Sequence, residues 1–221
     1  MLPLTIDDLY PEMPWALIDT VVFDVGNVLL SFDPPAILRD LAADVPEQWP
    51  RLMDRVFRSP YWVMIDHGTA PMEEIVDAMI GRETDLAPAI RRIMSGWIEM
   101  KETIPEGLQA VEACKAHGKR LLVLSNYGDE PFAHVEKKYA FFQQFDALAV
   151  SSRIGLMKPD PVMYRTVTER YGLTPERTLF IDDNPQNIEA ALQAGWQGFC
   201  FSHPGKLSAF FAADRQKGTS V

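Results

Sequence analysis

Four short apolar runs, each followed directly by polar residues, constrain the fold of this 221-residue chain more than any other feature. They are residues 20–23 before Asp24, 121–124 before Ser125 and Asn126, 147–150 before Ser151, and 179–181 before Asp182 and Asp183. Runs of aliphatic and β-branched residues of this length are typical of strands buried in a parallel sheet. The carboxyl ends of such strands lie at one edge, where open α/β sheets place their chemistry. We therefore expect these polar residues to lie close together.

Helical patterns alternate with the predicted strands in the second half of the chain. Each helix begins near a proline and ends near a glycine, the pairs being Pro105 with Gly118, Pro161 with Gly172, and Pro185 with Gly195. A last strand is predicted over 198–201 and a short helix over 207–213. Strands that alternate with helices indicate a parallel sheet with helices on both faces. The predicted fold class is α/β, a doubly wound, Rossmann-like parallel sheet.

The strand pattern stops between residues 36 and 102, where apolar residues recur at helical spacing. Pro34 and Pro35 are interpreted as the break before this segment. The sequence thus predicts an α/β core over 1–35 and 103–221, with an all-helical cap over 36–102 inserted after the first strand. A cap beside the active edge of a sheet can close over a ligand and exclude water.

Composition narrows the possible partners. A net charge of −10 and an isoelectric point near 4.9 disfavour a nucleic acid or an anionic membrane as partner. The two cysteines, Cys114 and Cys200, are interpreted as reduced core thiols, and no apolar run reaches the length of a membrane span. We expect a cytoplasmic monomer or small homo-oligomer with a small-molecule partner.

Four segments of the chain carry residues suited to phosphate chemistry. They are Asp24 with Gly26, Ser125 with Asn126, Lys158 within residues 157–160, and the pair Asp182 and Asp183. In order and context these segments resemble the four motifs of the haloacid dehalogenase superfamily of hydrolases. Residues 23–29 look most like the branch that contains sugar-phosphate phosphatases of the glucose-1-phosphatase type. The resemblance implies a phosphatase that acts on a small phosphorylated metabolite, with a sugar phosphate favoured.

The resemblance also implies a two-step mechanism, in which Asp24 attacks phosphorus and water hydrolyses the aspartyl-phosphate. A phosphate dianion repels a carboxylate, so cations must offset the charge. Lys158 is the predicted counter-charge. Magnesium is the predicted cofactor, with Asp24, Asp183 and the Gly26 carbonyl as ligands and Asp182 bound directly or through water. Taken alone, the aspartate pair also fits a helix cap and Lys158 a solvated surface lysine.

The predicted phosphate-binding groups are the Ser125 hydroxyl and the Asn126 backbone N–H, although small polar residues after a strand also occur for turn reasons alone. Asn27 is predicted to position Asp24 or water by hydrogen bonding, or else to tolerate the geometry of the turn. Trp62 is a candidate for stacking on a sugar ring, against the alternative that it belongs to the core.

Gly26 departs from the phosphatase pattern, because this position usually carries the aspartate that protonates the leaving group. Loss of a general acid typically costs about 10²–10⁴-fold in rate. An acidic leaving group needs less protonation, so the loss of the general acid slows its release less. The other remedy is a proton donor from the cap. His67, predicted to lie in a loop over residues 65–69 between cap helices, is the candidate, with an exposed turn histidine as the alternative.

Two other functions remain open from the sequence. A 2-haloacid dehalogenase uses the same aspartate to attack carbon and needs no leaving-group acid, but it does not require the acidic pair. A phosphate-binding protein with little turnover would keep the metal site and dispense with the acid.

Overall fold

The computed structural model describes residues 15–201 of the chain. Within them, five parallel strands form one sheet in the order β3-β2-β1-β4-β5. The strands are β1 (Thr20–Phe23), β2 (Arg120–Ser125), β3 (Ala147–Val150), β4 (Thr178–Asp182) and β5 (Gln197–Cys200). The helix predicted over 207–213 lies outside the described residues.

The register of the sheet brings the predicted site residues together. Phe23 on β1 pairs with Val123 on one side and Ile181 on the other. The next residue, Asp24, is therefore level with Asp182, and Ser125 lies one residue further along β2.

Helices cover both faces of the sheet, as the alternation of elements predicts. They are α6 (Pro105–Ala116), α7 (Asp129–Lys138), α8 (Ser151–Ile154), α9 (Pro161–Tyr171) and α10 (Pro185–Gln193). Alternate strand residues enter separate apolar clusters: Val21 and Phe23 pack on the side of α6 and α7, and Val22 packs on the side of α9 and α10. This period of two is expected for a sheet buried on both faces. The doubly wound α/β fold is confirmed.

The segment between β1 and β2 is helical. It contains α1 (Pro34–Leu41), α2 (Trp49–Leu52), α3 (Pro60–His67), α4 (Met72–Ile80) and α5 (Ala87–Gly96). A π-helical turn, Met53–Phe57, follows α2. We call this segment the cap; its bounds as a domain, 36–102, stay a prediction.

Two local expectations in the cap were wrong. Pro34 and Pro35 begin α1 instead of breaking the chain, because the first turn of a helix needs no N–H donor and Asp33 caps it by accepting a hydrogen bond from the Ala36 N–H at 3.1 Å. His67 is the last residue of α3, not a loop residue, because the helix continues until Gly68 ends it in the left-handed region at φ 70°.

The carboxyl end of α3 is docked on the core. The Ser151 hydroxyl of α8 donates a hydrogen bond to the main-chain carbonyl of Asp66. A β-carbon placed on Gly68 would lie 2.9 Å from Cβ of Ser152, so only glycine permits this close approach. The contact fixes the last turn of α3 beside the active edge of the sheet.

Among residues 15–201, no helix is long and apolar enough to cross a membrane.

Candidate active site

A cavity of about 440 Å³ opens at the carboxyl edge of the sheet. Eight candidate residues from the sequence line it: Asp24, Gly26, Asn27, Trp62, Ser125, Asn126, Lys158 and Asp183. Two others do not, since Asp182 lies below the cavity floor with no exposed surface and His67 is absent from the lining. A larger cleft of about 840 Å³ elsewhere, against α4, α5 and α7, contains none of the predicted residues.

Asp24 projects from the end of β1 into this cavity while remaining 93% buried, its exposed fraction being 7%. Its Oδ1 accepts a hydrogen bond from the Val25 N–H at 2.7 Å and lies 2.9 Å from Nζ of Lys158. Burial raises the pKa of Asp24 to about 6, against the opposing effect of the Lys158 charge. The carboxyl group is thus ionised at neutral pH and keeps a second oxygen for reaction.

Lys158 is the buried counter-charge of the site. Its ammonium group contacts Asp24 and lies 2.6 Å from Oδ2 of Asp182. Burial alone would lower the pKa of Lys158, but the two carboxylates outweigh burial and raise it. The ammonium therefore stays charged in an almost fully desolvated position.

Asn126 holds Lys158 in place. Its side-chain Oδ1 accepts a hydrogen bond from the Lys158 N–H at 2.9 Å, and its Nδ2 donates to the Lys158 carbonyl at 2.8 Å. This pairing occupies the Asn126 side chain, which leaves its backbone N–H for a ligand. The positioning role was not predicted from the sequence, because it depends on a loop that lies 32 residues away.

The two late aspartates have different surroundings. Asp182 accepts hydrogen bonds from the Asn187 side chain at 3.0 Å and the Asn184 N–H at 2.8 Å, in addition to Lys158. Asp183 accepts one side-chain hydrogen bond, from Nδ2 of Asn27 at 3.1 Å, and faces the cavity. Burial and the charge of Asp182 raise the pKa of Asp183. Asp183 has free lone pairs, whereas Asp182 is largely saturated by donors.

Carboxylate oxygens of Asp24, Asp182 and Asp183 lie within 4.8 Å of one another. A cluster of hard oxygen donors of this kind fits Mg²⁺. Because Asp182 is held by nitrogen donors, Asp24 and Asp183 are the carboxylates best placed to bind a cation directly.

Asn27 adopts the turn geometry that was one of its two predicted roles, while its side chain contacts Asp183 and makes no hydrogen bond to Asp24 within residues 15–201. Its backbone adopts a left-handed conformation with φ 52°, which asparagine tolerates better than most residues. Its side chain also donates to Asp183 and accepts a hydrogen bond from the Phe32 N–H at 2.9 Å. Asn27 thus links the loop that follows β1 to the acidic pair.

Five residues that line the same cavity form a group, and we call them the cap wall: Phe32, Trp62, Asp66, Trp97 and Lys101. Its rings pack on one another, with centroids 5.4 Å apart between Phe32 and Trp62 and 5.0 Å apart between Trp62 and Trp97. Nζ of Lys101 lies 4.2 Å from the centroid of Phe32 and 5.1 Å from that of Trp97. The cap wall is therefore mostly carbon, with one carboxyl and one amino group set into it.

Burial raises the pKa of Asp66 to about 8 and lowers that of Lys101 to about 7. Sequence reasoning selected His67 and missed both residues. Helical spacing would have favoured Asp66, because it lies four residues after Trp62 and on the same face of α3. No sequence signal marks Lys101.

Comparison with known proteins identifies the family. The family model for haloacid dehalogenase-like hydrolases matches residues 18–195. The GMP/IMP nucleotidase YrfG of Escherichia coli is 28% identical over 209 residues, covering 85% of this chain and 84% of the relative. The haloacetate dehalogenase H-2 of a Moraxella species is 28% identical over 126 residues, covering 54% and 56%.

Solved structures share the fold. The HAD family enzyme bt-2542 of Bacteroides thetaiotaomicron, in complex with magnesium and inorganic phosphate, superposes with a TM-score of 0.73 at 19% identity. The match covers 88% of this chain and 99% of that protein. With the sheet, the four motifs and the family match in agreement, the chain belongs to the haloacid dehalogenase-like hydrolases.

Proposed function

We propose that this hydrolase is a Mg²⁺-dependent phosphatase that removes phosphate from a small phosphorylated metabolite through an aspartyl-phosphate on Asp24. The observation that carries the proposal is the ionised Asp24 carboxylate at the cavity floor, 2.9 Å from a buried ammonium and beside a second, cavity-facing carboxylate. A lone nucleophile would repel a phosphate dianion, and this arrangement supplies the charges that offset the repulsion.

The residues around Asp24 have distinct parts in this reaction. Asp24 attacks phosphorus with its free oxygen, while Lys158 offsets negative charge on the transferring group. The Ser125 hydroxyl and the Asn126 N–H donate hydrogen bonds to phosphoryl oxygens. Asp24 and Asp183 would hold Mg²⁺, with the Gly26 carbonyl as a further ligand. The metal supplies charge neutralisation when it is bound.

A sugar phosphate is the favoured substrate class. The aromatic residues of the cap wall fit the apolar face of a sugar ring, and Asp66 and Lys101 fit its hydroxyl groups. A cavity of about 440 Å³ has room for this class of ligand. Nucleoside monophosphates are the second class, since the E. coli relative is named a GMP/IMP nucleotidase.

Dehalogenation is the competing function, because the Moraxella relative is named a haloacetate dehalogenase and Gly26 is no handicap to attack on carbon. Displacement at carbon without a metal has no need of the carboxylate cluster. The cluster is the reason to rank phosphatase first.

A phosphate-release screen tests the proposal. The purified protein is assayed with sugar phosphates, nucleoside monophosphates and an aryl phosphate, with Mg²⁺ or with EDTA, beside a chloroacetate assay for halide release. We expect phosphate release that requires Mg²⁺ and disappears in Asp24→Asn. Halide release without phosphate release would establish the dehalogenase instead. Binding of phosphate with no turnover of any ester would indicate a binding protein.

A further inference from the structure

Gly26 occupies the position where the phosphatase pattern has the leaving-group acid, and glycine has no side chain to donate a proton. A β-carbon placed on Gly26 has no atom within 4 Å, so the cavity has open space there. Phosphoryl transfer aligns the attacking and leaving oxygens on opposite sides of phosphorus. With Asp24 at the floor, the leaving group points towards the cap wall.

Two side chains of the cap wall are able to donate a proton, Asp66 and Lys101. Within residues 15–201 the Asp66 carboxyl group makes no hydrogen bond or ion pair, and only its main-chain carbonyl accepts one. The Lys101 ammonium is held instead over two aromatic rings. The charged groups that face Asp66 are Asp24, Lys101 and Lys158.

We propose that Asp66 is the general acid that protonates the leaving-group oxygen, and that it adapts this enzyme to unactivated alcohols such as sugar hydroxyls. The proposal rests on the phosphatase function proposed above. In this assignment the proton donor is Asp66 and not its neighbour His67, which the sequence analysis predicts.

The proton balance of the step is complete. Asp24 forms its bond to phosphorus as the bond from phosphorus to the leaving oxygen breaks, and the Asp66 proton passes to that oxygen to give a neutral alcohol. The Asp66 carboxylate then accepts a proton from the water that attacks the aspartyl-phosphate. Inorganic phosphate leaves, and both aspartates return to their starting states.

Asp66 is held in position as an acid requires. Its main-chain carbonyl accepts the Ser151 hydrogen bond, and the Gly68 turn seats the end of α3 against α8. Burial, together with the charge of Asp24, favours the protonated form of its side chain at neutral pH and raises its pKa. A carboxylic acid protonated near neutral pH suits general acid catalysis.

Leaving-group dependence is the test, since a structural role would slow all substrates equally. Turnover of an alkyl or sugar phosphate is compared with turnover of p-nitrophenyl phosphate, whose leaving group needs no acid. We expect Asp66→Asn to lose about 10²–10⁴-fold on the first and less than about fivefold on the second. Glu74→Gln, an exposed carboxylate of the same cap on α4, is the matched control and should change neither rate.

A rescue experiment makes the test sharper. Because position 26 has space for a side chain, Gly26→Asp should restore alkyl phosphate turnover to the Asp66→Asn protein by at least about tenfold. Asp66→Glu should keep part of the activity that Asp66→Asn loses. If these variants fold poorly, the wild-type protein alone still tests the acid through its pH profile on the two substrate types.

Each outcome separates this inference from the proposed function. If wild-type protein releases no phosphate from any ester, the proposed function fails. If wild-type turns over both substrates but Asp66→Asn slows them equally, or if the alkyl-selective loss appears in Lys101→Met or His67→Asn instead, the phosphatase stands and the assignment of Asp66 is overturned.

Discussion

The charged groups at the floor of the cavity and those in its cap wall have opposite electrostatic surroundings. At the floor, Lys158 lies between Asp24 and Asp182, and each charge has a partner of opposite sign within 2.9 Å. In the cap wall, neither Asp66 nor Lys101 forms an ion pair within residues 15–201, and the Lys101 ammonium lies over the rings of Phe32 and Trp97. The result is that Lys158 has a raised pKa and Lys101 a lowered one, although both lysines are buried.

This difference suits the two sides of the cavity to different chemical roles. Paired charges stay ionised, which suits a nucleophile and a counter-charge. Unpaired buried groups tend towards neutrality, which suits proton donation and recognition of an uncharged leaving group.

The largest effect should follow the loss of the Lys158 charge. Lys158→Met leaves Asp24 and Asp182 buried without a cation, so we expect the free energy of unfolding to fall by about 3–5 kcal/mol and phosphatase activity to disappear. Urea denaturation without Mg²⁺ measures the first effect. Lys137→Met, an exposed lysine on α7, is the control and should stay within about 0.5 kcal/mol of wild type.

Removing the buried lysine of the cap wall should instead raise the free energy of unfolding. Burial holds the pKa of Lys101 at about 7, so below that pH the folded protein bears the full cost of a desolvated charge, and the cost fades as pH rises towards the ordinary lysine pKa. Lys101→Met removes this cost, and we expect a gain of about 1–3 kcal/mol in unfolding free energy at pH 6. The gain should shrink at pH 10. Destabilisation at both pH values would contradict the contrast between the two lysines.

The dependence of kcat/KM on pH should reflect the ionisation of Asp66. Because the pKa of Asp66 is raised to about 8 and the acid form is the active one, kcat/KM for an alkyl phosphate should fall about tenfold per pH unit above that value. The profile for p-nitrophenyl phosphate should lack this alkaline limb. Identical limbs on both substrates would remove Asp66 from proton transfer.

The smallest effect concerns the docking of α3 on the core. Gly68 and Gly118 both have positive φ, at 70° and 67°, but a β-carbon meets Ser152 at 2.9 Å in the first case and nothing within 4 Å in the second. We expect Gly68→Ala to destabilise the protein by about 1 kcal/mol more than Gly118→Ala. Only Gly68→Ala should also slow alkyl phosphate turnover. Thermal unfolding and the two-substrate assay measure these differences.

The sequence predicted the floor of the cavity much better than its cap wall. Strand patterns place Asp24, Ser125 and Asp183 at one edge whatever the details of packing, because parallel strands share a direction. The cap wall depends on how five helices pack. Asp66 is missed because residues 65–69 are predicted to lie in a loop, where the four-residue spacing from Trp62 carries no information; in the structure α3 continues to His67.

Sequence patterns also failed to predict a helix start and two long-range hydrogen bonds. Pro34 and Pro35 were interpreted as a break and instead begin α1, since a proline pair both interrupts strands and starts helices. The roles of Asn126 and Ser151 required long-range contacts, to Lys158 and to the carbonyl of Asp66, that no local pattern encodes.

The central claim, a phosphoryl group carried on Asp24, is tested most directly by trapping the intermediate. Protein is mixed with substrate and Mg²⁺, quenched in acid during turnover, digested and analysed by mass spectrometry. We expect the peptide that contains Asp24 to gain the mass of one phosphoryl group, and Asp24→Asn protein to gain none and to release no phosphate. Full phosphate release by Asp24→Asn protein would contradict the account.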